Sequence, residues 1–250
     1  MTPIAISLVV CAFVFSGALL GVFLHSRLGT DHLSPESKEA VRLGMALVAT
    51  TVALVLGLLI ASAKNFYDTG NSEMVQLAAD VVLIDRALAQ YGPETQEARA
   101  KLRSSVARVV EFTGPESSAK TRFDPQAEEP DTLYVKIQQL SPSNENQRRM
   151  QAQALDFATQ IGHTRWLMFV QKTTPMPTLL LAMLVFWLTT LFVSFGMFVR
   201  ANVVVVTSLL ISALALTGAI FLILEMYHPY SGLMHVSDAP LRAALEQLGR

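Results

Sequence analysis

The 250-residue chain is poor in cysteine and in charge. Cys11 stands alone, which excludes a disulfide within the chain and any multi-thiolate zinc or iron-sulfur site built from one copy. Charged residues make up 16% against about a quarter in ordinary domains, while hydrophobic residues reach 52% and mean hydropathy is +0.41. Nineteen basic residues face twenty acidic ones, so the net charge of -1 leaves no basic footprint for nucleic acid. HExxH, GxSxG, GxGxxG and P-loop motifs are all missing. His25, His32, His163, His228 and His235 never stand at metal-ligand spacing beside a carboxylate, so they read as interfacial or capping side chains. The sequence therefore offers no catalytic set, no metal site and no cofactor motif, and an enzyme is not expected.

What is present is a set of long stretches without Asp, Glu, Lys or Arg. Residues 1–26, 43–63, 173–199 and 201–224 are such windows, and a bilayer core of roughly 30 Å needs about 20 apolar residues of helix. Four transmembrane helices are predicted, with limits near 3–24, 41–62, 178–199 and 202–224. The first lacks a positive leader segment and is longer than a signal-peptide core, so it is read as a span. The third and fourth are separated by little more than Arg200, which predicts a tight antiparallel hairpin turning at a water-facing arginine. Counting Lys and Arg near the spans gives four on each side and leaves the orientation undecided.

The expected organisation is spans one and two over 1–62, a helical aqueous domain over 63–177, the hairpin of spans three and four over 178–225, and a tail with a short amphipathic helix over 226–250. The aqueous segment from 63 to 174 holds 13 of the basic and 14 of the acidic residues. Met74, Leu77, Val81, Ile84, Leu88 and Tyr91 repeat at 3 and 4, a narrow helical seam that Gly92 and Pro93 end. Only Gly70 weakens the chain between Ser62 and Met74, so the second span is expected to run on into this seam as one rod. Ala98, Leu102, Val106, Val109 and Phe112 mark a shorter amphipathic helix, and 113–131 reads as loop. Ser141 and Pro142 predict a helix start, after which Met150, Ala154, Phe157, Ile161, Thr164 and Met168 carry a second long seam until the prolines at 175 and 177. Helices with narrow seams need a partner to bury them.

The second span carries the most information. Ala49, Ala53, Gly57 and Ala61 form an i, i+4 row of small residues that lets another helix approach closely. Away from that row lie Thr51, Leu54, Leu58, Ser62, Asn65 and Thr69, a face too polar for lipid and too uncharged for an ion-pair network. Such a face suits a pore lining, with Leu58 as an apolar constriction; hydrogen bonding between helices explains it as readily. Asp68, Glu73 and Asp80 follow on the aqueous extension and, repeated around a ring, would form a vestibule that concentrates cations; a solvated helix face is the plainer alternative.

Phe186-Trp187-Leu188-Thr189, Ser194-Phe195-Gly196, Ala219 to Glu225 and Pro229-Tyr230-Ser231-Gly232-Leu233 resemble the bestrophin-like bacterial membrane proteins. Leu77-Ala78-Ala79, Tyr91-Gly92-Pro93-Glu94, Thr164-Arg165-Trp166-Leu167 and Ala239-Pro240-Leu241-Arg242 extend the likeness over nearly the whole chain. The resemblance implies an all-α membrane fold with four spans and a helical insert between the second and third. It also implies a homo-pentameric ion channel whose second span lines an axial pore for small inorganic ions, in a bacterial inner membrane, with the middle domain and both termini in the cytosol. The sequence departs from vertebrate bestrophins in lacking their aromatic neck cluster, with Leu54, Leu58 and Leu59 in its place, and their acidic calcium clasp. A membrane-anchored helical scaffold or signalling module without conduction is the competing expectation.

Overall fold

The computed structural model describes residues 2–27, 35–113, 131–173, 178–199, 202–229 and 233–249, and among these there is no β-strand. Among the described residues, eight α-helices run in the order α1 (Pro3–Arg27), α2 (Pro35–Tyr91), α3 (Gln96–Thr113), α4 (Asp131–Gln138), α5 (Glu145–Thr173), α6 (Thr178–Met197), α7 (Val203–Met226) and α8 (Ala239–Gln247), with a 3-10 turn at Pro93–Thr95 before α3. Four helices, α1, α2, α6 and α7, are long and apolar enough to cross a membrane. The expected turn at Arg200 and the breaks at 174–177 and 230–232 lie outside the described residues, as does nearly all of the 113–131 loop.

The chain divides into two compact units. One comprises residues 1–66 and 175–228, the other 67–174 and 229–250. The first is the span-bearing unit. Its core is Val10, Val14 and Ala18 of α1, Val52, Leu59 and Ala63 of α2, Leu184, Leu188, Leu191 and Phe192 of α6, and Ala213, Ile220, Ile223 and Leu224 of α7. Helix α1 packs against both α6 and α7. The approach to α6 is made by glycine: a Cβ placed on Gly21 would sit 2.0 Å from the Val193 carbonyl oxygen, and one on Gly196 would sit 2.3 Å from that of Ala18. Without side chains at these points the two backbones come into direct van der Waals contact, which drives helix association where no hydrophobic effect operates. His25 at the end of α1 ties the same pair, its Nδ1 donating to the Met197 carbonyl at 2.9 Å.

In the second unit, the predicted seam of α2 is fully buried at Met74, Leu77, Val81, Ile84, Leu88 and Tyr91. Ala98, Leu102 and Val106 of α3, Ile137 of α4, Ala154 of α5 and Leu241, Ala244 and Leu248 at the chain's end complete that core. Each large apolar side chain removed from water there contributes about 1.5–3 kcal/mol. Helix α2 stops because Gly92 takes φ 142, a conformation β-carbons disfavour, and Pro93 cannot extend the ladder. The Thr95 hydroxyl then donates to the Leu88 carbonyl at 2.7 Å, satisfying one of the orphaned acceptors.

One local expectation is corrected. Helix α5 begins at Glu145, not at Ser141 and Pro142, because Asn144 provides the better cap: its Oδ1 accepts from the Gln147 amide at 2.9 Å, while the Gln147 side chain accepts from the Ser143 amide at 2.7 Å. Residues 131–138 form α4 where no helix was expected; Gln151 holds the end of it, its Nε2 donating to the Ile137 carbonyl and to that of Leu140 just beyond the helix, at 2.9 Å each. Val236, Leu241, Ala244 and Leu248 of the tail lie in the second unit's core.

Candidate functional site: the uncovered faces of the second helix

Viewed down its axis at about 100° per residue, the membrane half of α2 presents three faces roughly a third of a turn apart. The first is apolar and covered by the chain's own helices: Val52, Leu59 and Ala63 are buried, with Met45, Val48, Val55 and Leu56 packed beside them. The second carries the small-residue row. Ala53, Gly57 and Ala61 are exposed, Ala49 is half-buried, and a Cβ on Gly57 would meet nothing within 4 Å. Within one protomer, close helix packing is therefore made by Gly17, Gly21 and Gly196 and not by this row. The G-x-x-x-G spacing of Gly17 and Gly21 was the available sequence signal for it.

The third face is the expected pore lining, and its six residues share one exposed side of the helix. Thr51, Leu54, Leu58, Ser62, Asn65 and Thr69 are all exposed in the protomer, Leu54 at 75% and Leu58 at 65%. Its polar groups are partly engaged. The Thr51 hydroxyl donates back to the Leu47 carbonyl at 3.0 Å, and Thr50 beside it does the same at 2.8 Å. A threonine that gives its proton to the helix turns oxygen lone pairs outward. Ser62 Oγ lies 3.0 Å from the Tyr227 hydroxyl, and the Tyr227 ring stacks at a tilt on Phe66 with centroids 5.4 Å apart.

Glu225, the penultimate residue of α7, is 2% exposed. It lies in the interior of the span-bearing unit, and burial of a single carboxylate depends on helix rotation that no local pattern records. The His228 ring caps the same helix end, donating from Nδ1 to the Leu224 carbonyl at 2.8 Å.

The proposed vestibule carboxylates do not form one set. Asp68 is exposed. Glu73 is half-buried and accepts a hydrogen bond from the Gln171 amide of α5. Asp80 is a correction: at 1% exposure it faces the packed interior of the second unit, where the Gln76 amide donates to Oδ1 at 2.8 Å and Oδ2 has no hydrogen-bond partner among the described residues. Desolvation pushes its carboxyl above the usual range; the Gln76 hydrogen bond opposes that shift and the charge of Asp156 on α5 adds to it. A buried carboxyl of this kind cannot concentrate ions in a vestibule. No cluster of metal-binding side chains exists among the described residues.

The sequence model of the Bestrophin-like domain matches residues 12–241. With four apolar helices of spanning length, this places the protein among the bestrophin-like membrane proteins, and the chain belongs to the Bestrophin-like domain family. No curated protein and no solved structure matches the chain.

Proposed function

We propose that the protein is a homo-oligomeric, pentameric ion channel of the bacterial inner membrane in which the α2 helices surround an axial path. The observation that carries this reading is the threefold division of α2. One face is satisfied by its own chain, while a flat small-residue face and a hydroxyl-bearing face with two leucines are left uncovered. In a ring, the small-residue row would meet a neighbouring subunit and the other face would turn to the axis. Leu54 and Leu58 would form the apolar constriction, and outward-facing threonine lone pairs would meet the passing ion. Asp68 and Glu73 remain the candidates for a charged approach. The termini and the second unit are assigned to the cytosol on the family resemblance.

Purified protein in liposomes should pass small inorganic ions, and Leu58→Ala should raise the conductance several-fold by widening and wetting the constriction. Vesicles that stay tight under every imposed ion gradient would reject the channel. One observation favours the alternative, a membrane-anchored scaffold or signalling module: Thr51 and Ser62 already hold hydrogen bonds within the protomer and do not require water. A monomeric or dimeric mass in nanodiscs would decide for that reading.

A further inference from the structure

The second unit holds a groove of about 270 Å³, lined by Val82, Asp85, Arg86 and Ala89 of α2 and by Gln247 and Leu248 at the end of α8. The four α2 residues fall at i, i+3, i+4 and i+7, so they form one stripe of the helix. The floor is electrically closed. Both oxygens of buried Asp85 are taken by the Arg99 fork, Nε at 2.7 Å and Nη2 at 2.9 Å, and the Gly249 amide points at Oδ2 from 3.4 Å. Arg103 Nη1 donates to the Leu248 carbonyl at 3.1 Å, fixing the chain that forms the far wall.

Arg86 on the rim is different. It is exposed, and no hydrogen bond or ion pair reaches its guanidinium among the described residues. The exposed Gln247 amide across the groove likewise has no hydrogen bond among the described residues. Since Asp85 is neutralised by Arg99, Arg86 gives the groove, among its described lining residues, an uncompensated positive charge on a planar fork whose geometry matches a carboxylate. Below it, Val82, Ala89 and Leu248 supply apolar wall. A groove of this size suits a small ligand with a short tail.

The geometry points to this groove as a binding site for a small organic monocarboxylate, with its carboxylate on Arg86, a hydrogen bond from Gln247 and a short aliphatic tail against Val82 and Leu248. Such a ligand bridges α2 and the end of α8. The site lies wholly within the second unit and does not depend on whether the protein conducts.

Full-length protein in nanodiscs, titrated calorimetrically with sodium butyrate against empty nanodiscs, should show saturable binding at one site per chain. Arg86→Gln should weaken it about tenfold or more, the usual effect of losing a charge-assisted contact. Ala89→Glu, also at an exposed position, should abolish it by placing a competing carboxylate beside Arg86. Inorganic phosphate at matched ionic strength should bind more weakly than butyrate, for want of an apolar tail. Absence of saturable butyrate binding, an Arg86→Gln affinity equal to that of the parent, or phosphate binding as tightly as butyrate would each overturn the assignment.

Discussion

Asp80 shows how much a single side chain can alter the account of a helix. It lies beside the seam residue Val81, and its charge suggested a wet face; its side chain is buried instead, close enough to Asp156 of α5 to feel that charge. Because its folded-state carboxyl binds protons more readily than in the unfolded chain, the sign of its pH linkage is fixed. The contribution of Asp80 is most favourable below the ordinary value of 3.8 and is lost as pH rises from there through the raised folded value. Asp80→Asn keeps an acceptor for Gln76 and removes the buried charge. It should raise the melting temperature at neutral pH by a few degrees, with the gain shrinking as the pH falls toward 4. A melting curve for Asp80→Asn that tracks the parent equally at both pH values would contradict this placement.

At the scale of helices, the structure separates two kinds of glycine that look alike in sequence. Gly21 and Gly57 both sit in small-residue rows of apolar spans, yet a Cβ on the first would collide with a carbonyl oxygen and one on the second would meet open space. Gly21→Ala forces α1 away from α6 and should cost about 1–3 kcal/mol, the range for overpacking a tight contact, seen as a lower unfolding temperature in detergent. Gly57→Leu should leave helix content and protomer stability nearly unchanged while reducing the native mass in lipid to that of a single chain. An intact oligomer bearing leucine at 57 would show that this row is not a subunit contact.

The same contrast explains what was legible beforehand. The α2 seam from Met74 to Tyr91 was readable because a 3-and-4 repeat follows from helix geometry alone, and every one of its residues is buried. The four long apolar helices were readable because charge avoidance in lipid is a property of each segment by itself. The burial of Glu225 and Asp80, the Ser62 to Tyr227 hydrogen bond and the capping of α5 by Asn144 were not, since each depends on which distant or competing group arrives first. Helix α4 was missed for a further reason: eight residues are too few to display a period.

For the molecule as a whole, the decisive element is α2, an uninterrupted helix of 57 residues that contributes to both units. Its faces are set by residue count, and so they are geared. One alanine inserted between Val81 and Ile84 would turn the seam residues before it by about 100° relative to those after it, so that Met74, Leu77 and Val81 could no longer face the second unit's core together with Ile84 and Leu88. Four inserted alanines return to within about 40° of the starting phase and should lower the melting temperature far less than the single insertion does. In this protein, helical phase acts as a key cut along one shaft, where adding a single tooth does more damage than adding a whole turn.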